Sequence, residues 1–69
     1  MQTINIGESV VAEFNGYAER IKTGLTYDEA KAFCQENRWK MKLHGRECKL
    51  KIVRDNEAIN EMPEYLKLN

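Results

Sequence analysis

The residues whose types could do chemistry are few in this chain. His44 is the only histidine, beside Gly45 and Arg46. As a general base it would need a nucleophile or an orienting carboxylate in fixed geometry, and no spacing in the sequence supplies one. The reading is therefore an exposed loop histidine. Cys34 and Cys48 form no Cys-x-x-Cys pair and read as two small core thiols. A disulfide between them would require their Cα atoms to lie within about 7 Å. With one histidine and no clustered ligands, neither a zinc site nor any other cofactor is expected. Asp28, Glu29 and Glu36 are explained by a helix cap, a helix dipole and a solvated face. Phosphate-cradling glycine motifs and nucleophile elbows do not occur. No catalytic residue is assigned, and the expectation is a protein that binds and does not catalyse.

What stands above background is charge. The 69 residues carry 11 basic and 11 acidic side chains, so the formal net charge is zero. The distribution is uneven. Residues 1–37 hold Arg20, Lys22 and Lys31 against Glu8, Glu13, Glu19, Asp28, Glu29 and Glu36. Residues 38–54 hold Arg38, Lys40, Lys42, Arg46, Lys49, Lys51 and Arg54 against Glu47 alone. Residues 55–69 hold Lys67 against Asp55, Glu57, Glu61 and Glu64. A basic segment thus lies between two acidic ones. Such asymmetry speaks to partners and association rates more than to fold.

The elements that must position these charges follow from hydrophobic periodicity. Trp39, Met41 and Leu43 alternate with Arg38, Lys40 and Lys42, and Cys48, Leu50 and Ile52 alternate with Lys49 and Lys51. Two period-2 runs around the glycine-containing loop His44–Glu47 predict a β-hairpin. Alternation places Arg38, Lys40, Lys42, Lys49 and Lys51 on one face in water, with Arg46 at the tip and Arg54 at the end. Trp39 is assigned to the core with the rest of the apolar face. Ahead of the hairpin, Thr26 with Glu29 three residues on forms a capping box. Ala30, Phe33, Cys34 and Asn37 follow at helical spacing, predicting a helix over 27–37 whose Ala30 and Phe33 meet the apolar hairpin face.

Two readings fit Ser9–Lys22. Asn15-Gly16 suits a two-residue type I′ turn, which pairs Phe14 with Tyr17, Ala12 with Glu19 and Val10 with Ile21. Val11 then stands opposite Arg20 and Glu13 opposite Ala18. Alternatively, Val10, Phe14, Tyr17 and Ile21 form a helical stripe, with Asn-Gly costing on the order of 1–2 kcal/mol in mid-helix. Turn chemistry favours the hairpin. Ile4 and Ile6 predict a short additional strand. Toward the other end, Asp55 or Asn56 caps a predicted short helix, Glu57–Met62, with Ile59, Met62 and Leu66 covering part of the sheet. Pro63 cuts that helix or begins another turn, and Leu66 and Leu68 are the last apolar residues.

The expected fold is one small α+β domain over 1–69, an antiparallel sheet of four or five strands in ββαββ order with one packed helix and a short C-terminal helical segment. A signal peptide is not recognised, and no apolar run reaches the roughly 18 residues of a membrane span, so a cytoplasmic protein with no membrane partner is expected. The functional expectation is a regulator or inhibitor docking on an acidic protein surface through Arg38, Lys40, Lys42, His44, Arg46, Lys49, Lys51 and Arg54. Size alone fits a phage or mobile-element protein. The alternative is a nucleic-acid-binding module that contacts phosphates through the same hairpin. Base stacking lacks a platform in that reading, because no exposed aromatic is interleaved with the lysines. Two further readings remain: lysines that merely solvate the sheet and block edge pairing, and a homo-oligomer formed through a strand edge.

Overall fold

The computed structural model describes residues 6–67. Its elements are β1 (Glu8–Phe14), β2 (Tyr17–Leu25), α1 (Tyr27–Glu36), β3 (Lys40–Leu43), β4 (Arg46–Arg54) and α2 (Glu64–Lys67). The four strands form one sheet in the order β2-β1-β4-β3, antiparallel throughout. This is the α+β architecture in ββαββ order. The expected contributions of Ile4 and Leu68 lie outside the described residues, and Ile6 belongs to no strand.

Both hairpins close on two-residue turns with positive φ at each central position. Asn15 and Gly16 stand at 54° and 84°, and His44 and Gly45 at 51° and 76°. These are type I′ turns, whose twist matches that of the flanking strands. Asn and His are among the side chains that tolerate the left-handed region. The first turn settles the Ser9–Lys22 ambiguity in favour of strands. The second is tighter than the expected four-residue loop, because Arg46 and Glu47 are already in β4, paired with Leu43 and Lys42.

The register of β1 with β2 follows expectation from Phe14↔Tyr17 through Val11↔Arg20 and then slips. Val10 pairs with Lys22 instead of Ile21, so Ile21 is an extra residue on β2. A further irregularity precedes Glu8↔Leu25. Bulges bend a strand and re-aim its side chains. Here Ile21 packs on the core and Lys22 sits over the Phe33 ring, 5.3 Å from its centroid.

Helix α1 starts as its sequence dictates. The Thr26 hydroxyl accepts from the Glu29 N–H at 3.1 Å, and the Glu29 carboxylate accepts from the Thr26 N–H at 2.9 Å. Its other end differs from expectation. Asn37 is the C-cap, and the N–H groups of Arg38 and Trp39 return to the carbonyls of Gln35 and Cys34. This Schellman arrangement satisfies the last carbonyls and holds Arg38 and Trp39 at φ 57° and 59°. Strand alternation therefore begins only at Lys40, and Trp39, expected in the core, is 40% exposed.

The sheet is covered on both faces, unequally. On the front, Val10, Ala12, Cys48 and Leu50 pack with Ala30 and Cys34 of α1 and with Met62 and Leu66. Phe33, Met41, Leu43 and Ile52 border this core. On the back, a smaller cluster of Val11, Ala18 and Val53 lies beneath Ile59. The expected helix Glu57–Met62 does not form; that segment is extended and crosses from back to front around the β2 edge. Its main chain takes the Ala18 N–H on the Asn60 carbonyl at 2.8 Å and gives the Met62 N–H to the Ala18 carbonyl at 3.2 Å. Asn60 Nδ2 also donates to the Gly16 carbonyl at 3.0 Å. A helix would satisfy its own backbone, but an extended strap can satisfy the sheet edge as well. Pro63 then begins the turn that becomes α2.

A half-buried polar knot fixes the start of this strap. Ser9, fully buried, donates from its hydroxyl to Asp55 and accepts from Arg20 Nε at 3.0 Å. The Arg20 guanidinium also donates to the carbonyls of Arg54, at 3.2 Å, and Glu57, at 2.8 Å. Asp55 further accepts from the Gly24 N–H at 3.1 Å. Gly7 packs close beside it: a Cβ there would lie 2.8 Å from the Asp55 carboxylate and would push on the knot.

Candidate functional site

The strap covers the back face over β2, β1 and the Val53 end of β4. The rest of β4 and all of β3 are open on the back, and alternation decides what they show. Lys49 and Lys51 of β4 and Lys40 and Lys42 of β3 are all exposed there. Four of the eight expected binding residues are thus brought together on one surface.

The other four are placed elsewhere. Arg38, expected on this face, lies in the turn after α1 and is exposed there, because the left-handed backbone takes it out of the pleat. Arg46, expected at the hairpin tip, is a strand residue on the front face, its guanidinium 5.3 Å from the Phe14 ring centroid. Its Nε is buried and finds no acceptor among the described residues. His44 is not a free loop histidine. It is half-buried, and its Nε2 lies 2.8 Å from the Glu19 carboxylate, joining the two hairpins at their turn ends. Arg54 ends β4 opposite Glu8, on the front-face alternation.

Within the open surface the lysines are not equivalent. A two-residue turn makes Leu43 and Arg46 the closing hydrogen-bonded pair. Pairs alternate from there, so Met41 and Cys48 are bonded, and the Leu50 N–H reaches the Trp39 carbonyl at 2.9 Å as this pattern requires. Lys42 opposite Glu47 and Lys40 opposite Lys49 are then non-bonded pairs, in which side chains stand closest. Lys51 is ion-paired with Glu13 at 3.7 Å. Lys49 neighbours Glu13 along β1 on its other side. Lys40 and Lys49 thus face each other with like charge, and neither is in an ion pair among the described residues. The acids that temper this face come from Glu13 and Glu47, both within the sheet.

The cysteines sit on the opposite side. Cys34 and Cys48 are buried free thiols in the front core, and burial pushes both upward from their ordinary pKa. For Cys48 a backbone hydrogen bond and Arg46 oppose that rise, while Glu19 adds to it. Thiolates are the reactive form, so neither thiol is primed as a nucleophile. An open recess of about 420 Å³ lies between Gly7, Gly24, Thr26, Tyr27 and Asp55. Glu8 and Asp55 are the acids that line it, and Asp55 is already engaged by Ser9 and Gly24.

Sequence reasoning missed Trp39 as a surface residue. The Asn37-Arg38 sequence gave no glycine to mark the helix stop, so the left-handed pair was not legible. Among the described residues no helix is long and apolar enough to cross a membrane. No family model matches this chain, and neither a curated protein nor a solved structure matches it significantly.

Proposed function

We propose that this is a small non-enzymatic binding protein, a regulator or inhibitor, that docks on an acidic surface of a macromolecular partner. The contact face is the open half of the sheet, with Lys40, Lys42, Lys49 and Lys51 as its charges and Arg38 at its border. The observation that carries this reading is the Lys40–Lys49 pair. Like charges directly opposite in a sheet destabilise it, and stability alone would set an acid or a threonine there. A partner's carboxylates would relieve that repulsion on docking, and attraction of this kind raises association rates and falls with salt.

Reversal of Lys40, Lys42 and Lys49 to Glu tests it, with circular dichroism as the check on folding. Used as bait in the native host, the wild-type chain should retain a partner that salt elutes and that the reversed chain does not hold. A partner held equally by both baits would show that this face is only a solvated surface.

A second reading is favoured by one feature, the exposure of Trp39 beside Arg38 and Lys40. An exposed aromatic next to bases is the stacking platform that single-stranded nucleic acid uses. Trp39 is the only tryptophan, so its fluorescence reports such contact directly. Quenching by duplex or single-stranded oligonucleotides that weakens with salt would support this reading. No quenching at low salt removes it.

A further inference from the structure

We infer that the partner segment is an extended strand that adds to the β3 edge, with acidic side chains alternating with apolar ones. This rests on the proposed function and specifies its geometry.

The two edges of the sheet are treated differently. At the β2 edge the strap from Asn60 to Met62 takes up the main-chain groups of Ala18. At the other edge, β3 is the last strand. The hydrogen-bonding alternation set by the His44–Gly45 turn directs Leu43 and Met41 toward β4 and leaves Lys42 and Lys40 directed outward. The Lys40 N–H returns to the Asn37 carbonyl at 3.2 Å. The Lys40 carbonyl and both main-chain groups of Lys42 have no main-chain partner among the described residues. They offer an incoming antiparallel strand one donor and two acceptors in a row.

The side chains then select the strand. Residues opposite Lys42 and Lys40 would project onto the back face, beside two ammonium groups that are in no ion pair among the described residues. The residue between them would project to the front, beside the half-buried Met41 and Leu43. The edge therefore fits the order acidic, apolar, acidic. It does not fit a second copy of this chain in antiparallel pairing. Only Lys40 and Lys42 can form the bonded pairs, so every such register sets lysine against lysine. Lysines that protect an edge against self-pairing are the same groups that would recruit an acidic strand, and strand addition draws affinity from the main chain and specificity from alternate side chains.

The experiment uses the whole protein, isotopically labelled, and a blocked peptide of about seven residues alternating Glu with Val or Thr. At saturation the Lys42 amide should exchange with solvent about tenfold more slowly or better. A peptide methylated on the backbone nitrogens that would donate to the edge keeps its charge, and it should bind about tenfold more weakly. On the protein side, Lys42→Pro removes the outward donor where Lys42→Gln removes only the charge, so Lys42→Pro should be the weaker binder. Equal affinity of methylated and unmethylated peptides would overturn strand addition while leaving the basic-face reading in place, provided the Lys40→Glu/Lys49→Glu variant still loses the peptide. If that variant binds the peptide unchanged, both readings fall. Absence of peptide binding at millimolar concentration overturns the inference. So does protection of the Lys42 amide that grows with protein concentration alone, which would give the edge to a second copy.

Discussion

The two hairpins are built on the same turn and put to different use. In each, a type I′ pair ending in glycine joins strands whose apolar residues alternate. In the β1–β2 hairpin both faces are covered, and Ser9, Val10, Val11 and Ala12 are buried in succession. In the β3–β4 hairpin the front packs on the core, and the back, apart from the covered Val53, exposes Lys40, Lys42, Glu47, Lys49 and Lys51. The strap causes the difference: it covers the back of the first hairpin and Val53 of the second, pairs with the first hairpin's edge at Ala18, and leaves the lysines of β3 and β4 and the β3 edge bare. The first hairpin is thus covered on both faces, and the second keeps an exposed charged surface.

The largest break in that comparison comes from removing the strap. Truncation before Glu57 would expose Val11, Ala18 and Val53 and also remove Met62 and Leu66 from the front core. Each buried Met or Leu lost from a core costs about 2–5 kcal/mol, against a total stability of about 5–15 kcal/mol. The truncated chain should show no cooperative unfolding transition by circular dichroism. A transition near the wild-type midpoint would mean that the sheet does not depend on its strap.

Arg20→Ala is the next test, since it leaves the strap in place and removes its clamp. Bonds to the Ser9 hydroxyl and to the carbonyls of Arg54 and Glu57 are lost together. A loss of about 2–3 kcal/mol in denaturant unfolding is expected, at about 1 kcal/mol for each hydrogen bond. Arg46→Ala, which loses only the stack on Phe14 in the second hairpin, should cost less.

The thiols of Cys34 in α1 and Cys48 in β4 make the front core sensitive to alkali. Both have folded pKa values raised by burial. Raised acidic groups stay protonated in the fold while the unfolded chain ionises, so their stability contribution is complete below the unfolded pKa and is lost above it. Denaturation midpoints should hold to about pH 8.5 and then fall. The fall should be shallower in Cys34→Ala than in the wild type. Both thiols should react with a disulfide reagent only as the protein opens.

The smallest effect is the most pointed. Lys40→Glu converts a like-charge cross-strand pair into an opposite-charge one, with an expected gain of about 0.2–1 kcal/mol. Stability should rise as binding is lost. If Lys40→Glu destabilises the fold, the lysine pair is structural, and the argument from repulsion fails.

How much of this was legible depends on range. Asn15-Gly16, the Thr26–Glu29 box and the two period-2 runs are local, and each produced the element it predicted. The open face was legible at Lys40, Lys42, Lys49 and Lys51, where strand alternation holds. It failed at Arg38 and Trp39, where the helix stop imposes left-handed backbone without a glycine to announce it. It failed at Arg46 as well, because a four-residue loop was expected where the turn takes two, so a residue assigned to the tip entered the strand. His44 was missed because its partner Glu19 is 25 residues away in sequence.

Local sequence, then, determined the strands, the helix start and which lysines point outward, because these depend on turn chemistry and side-chain period. Tertiary structure alone decided that β1 and β4 pair at the centre of the sheet and that residues 57–62 become a strap instead of a helix. Those outcomes rest on the Ser9–Arg20–Asp55 knot and the unsatisfied main chain of the β2 edge, and neither exists until distant segments meet. By covering Val11, Ala18 and Val53 and pairing with the β2 edge at Ala18, they also decided that the lysines of the second hairpin are left exposed.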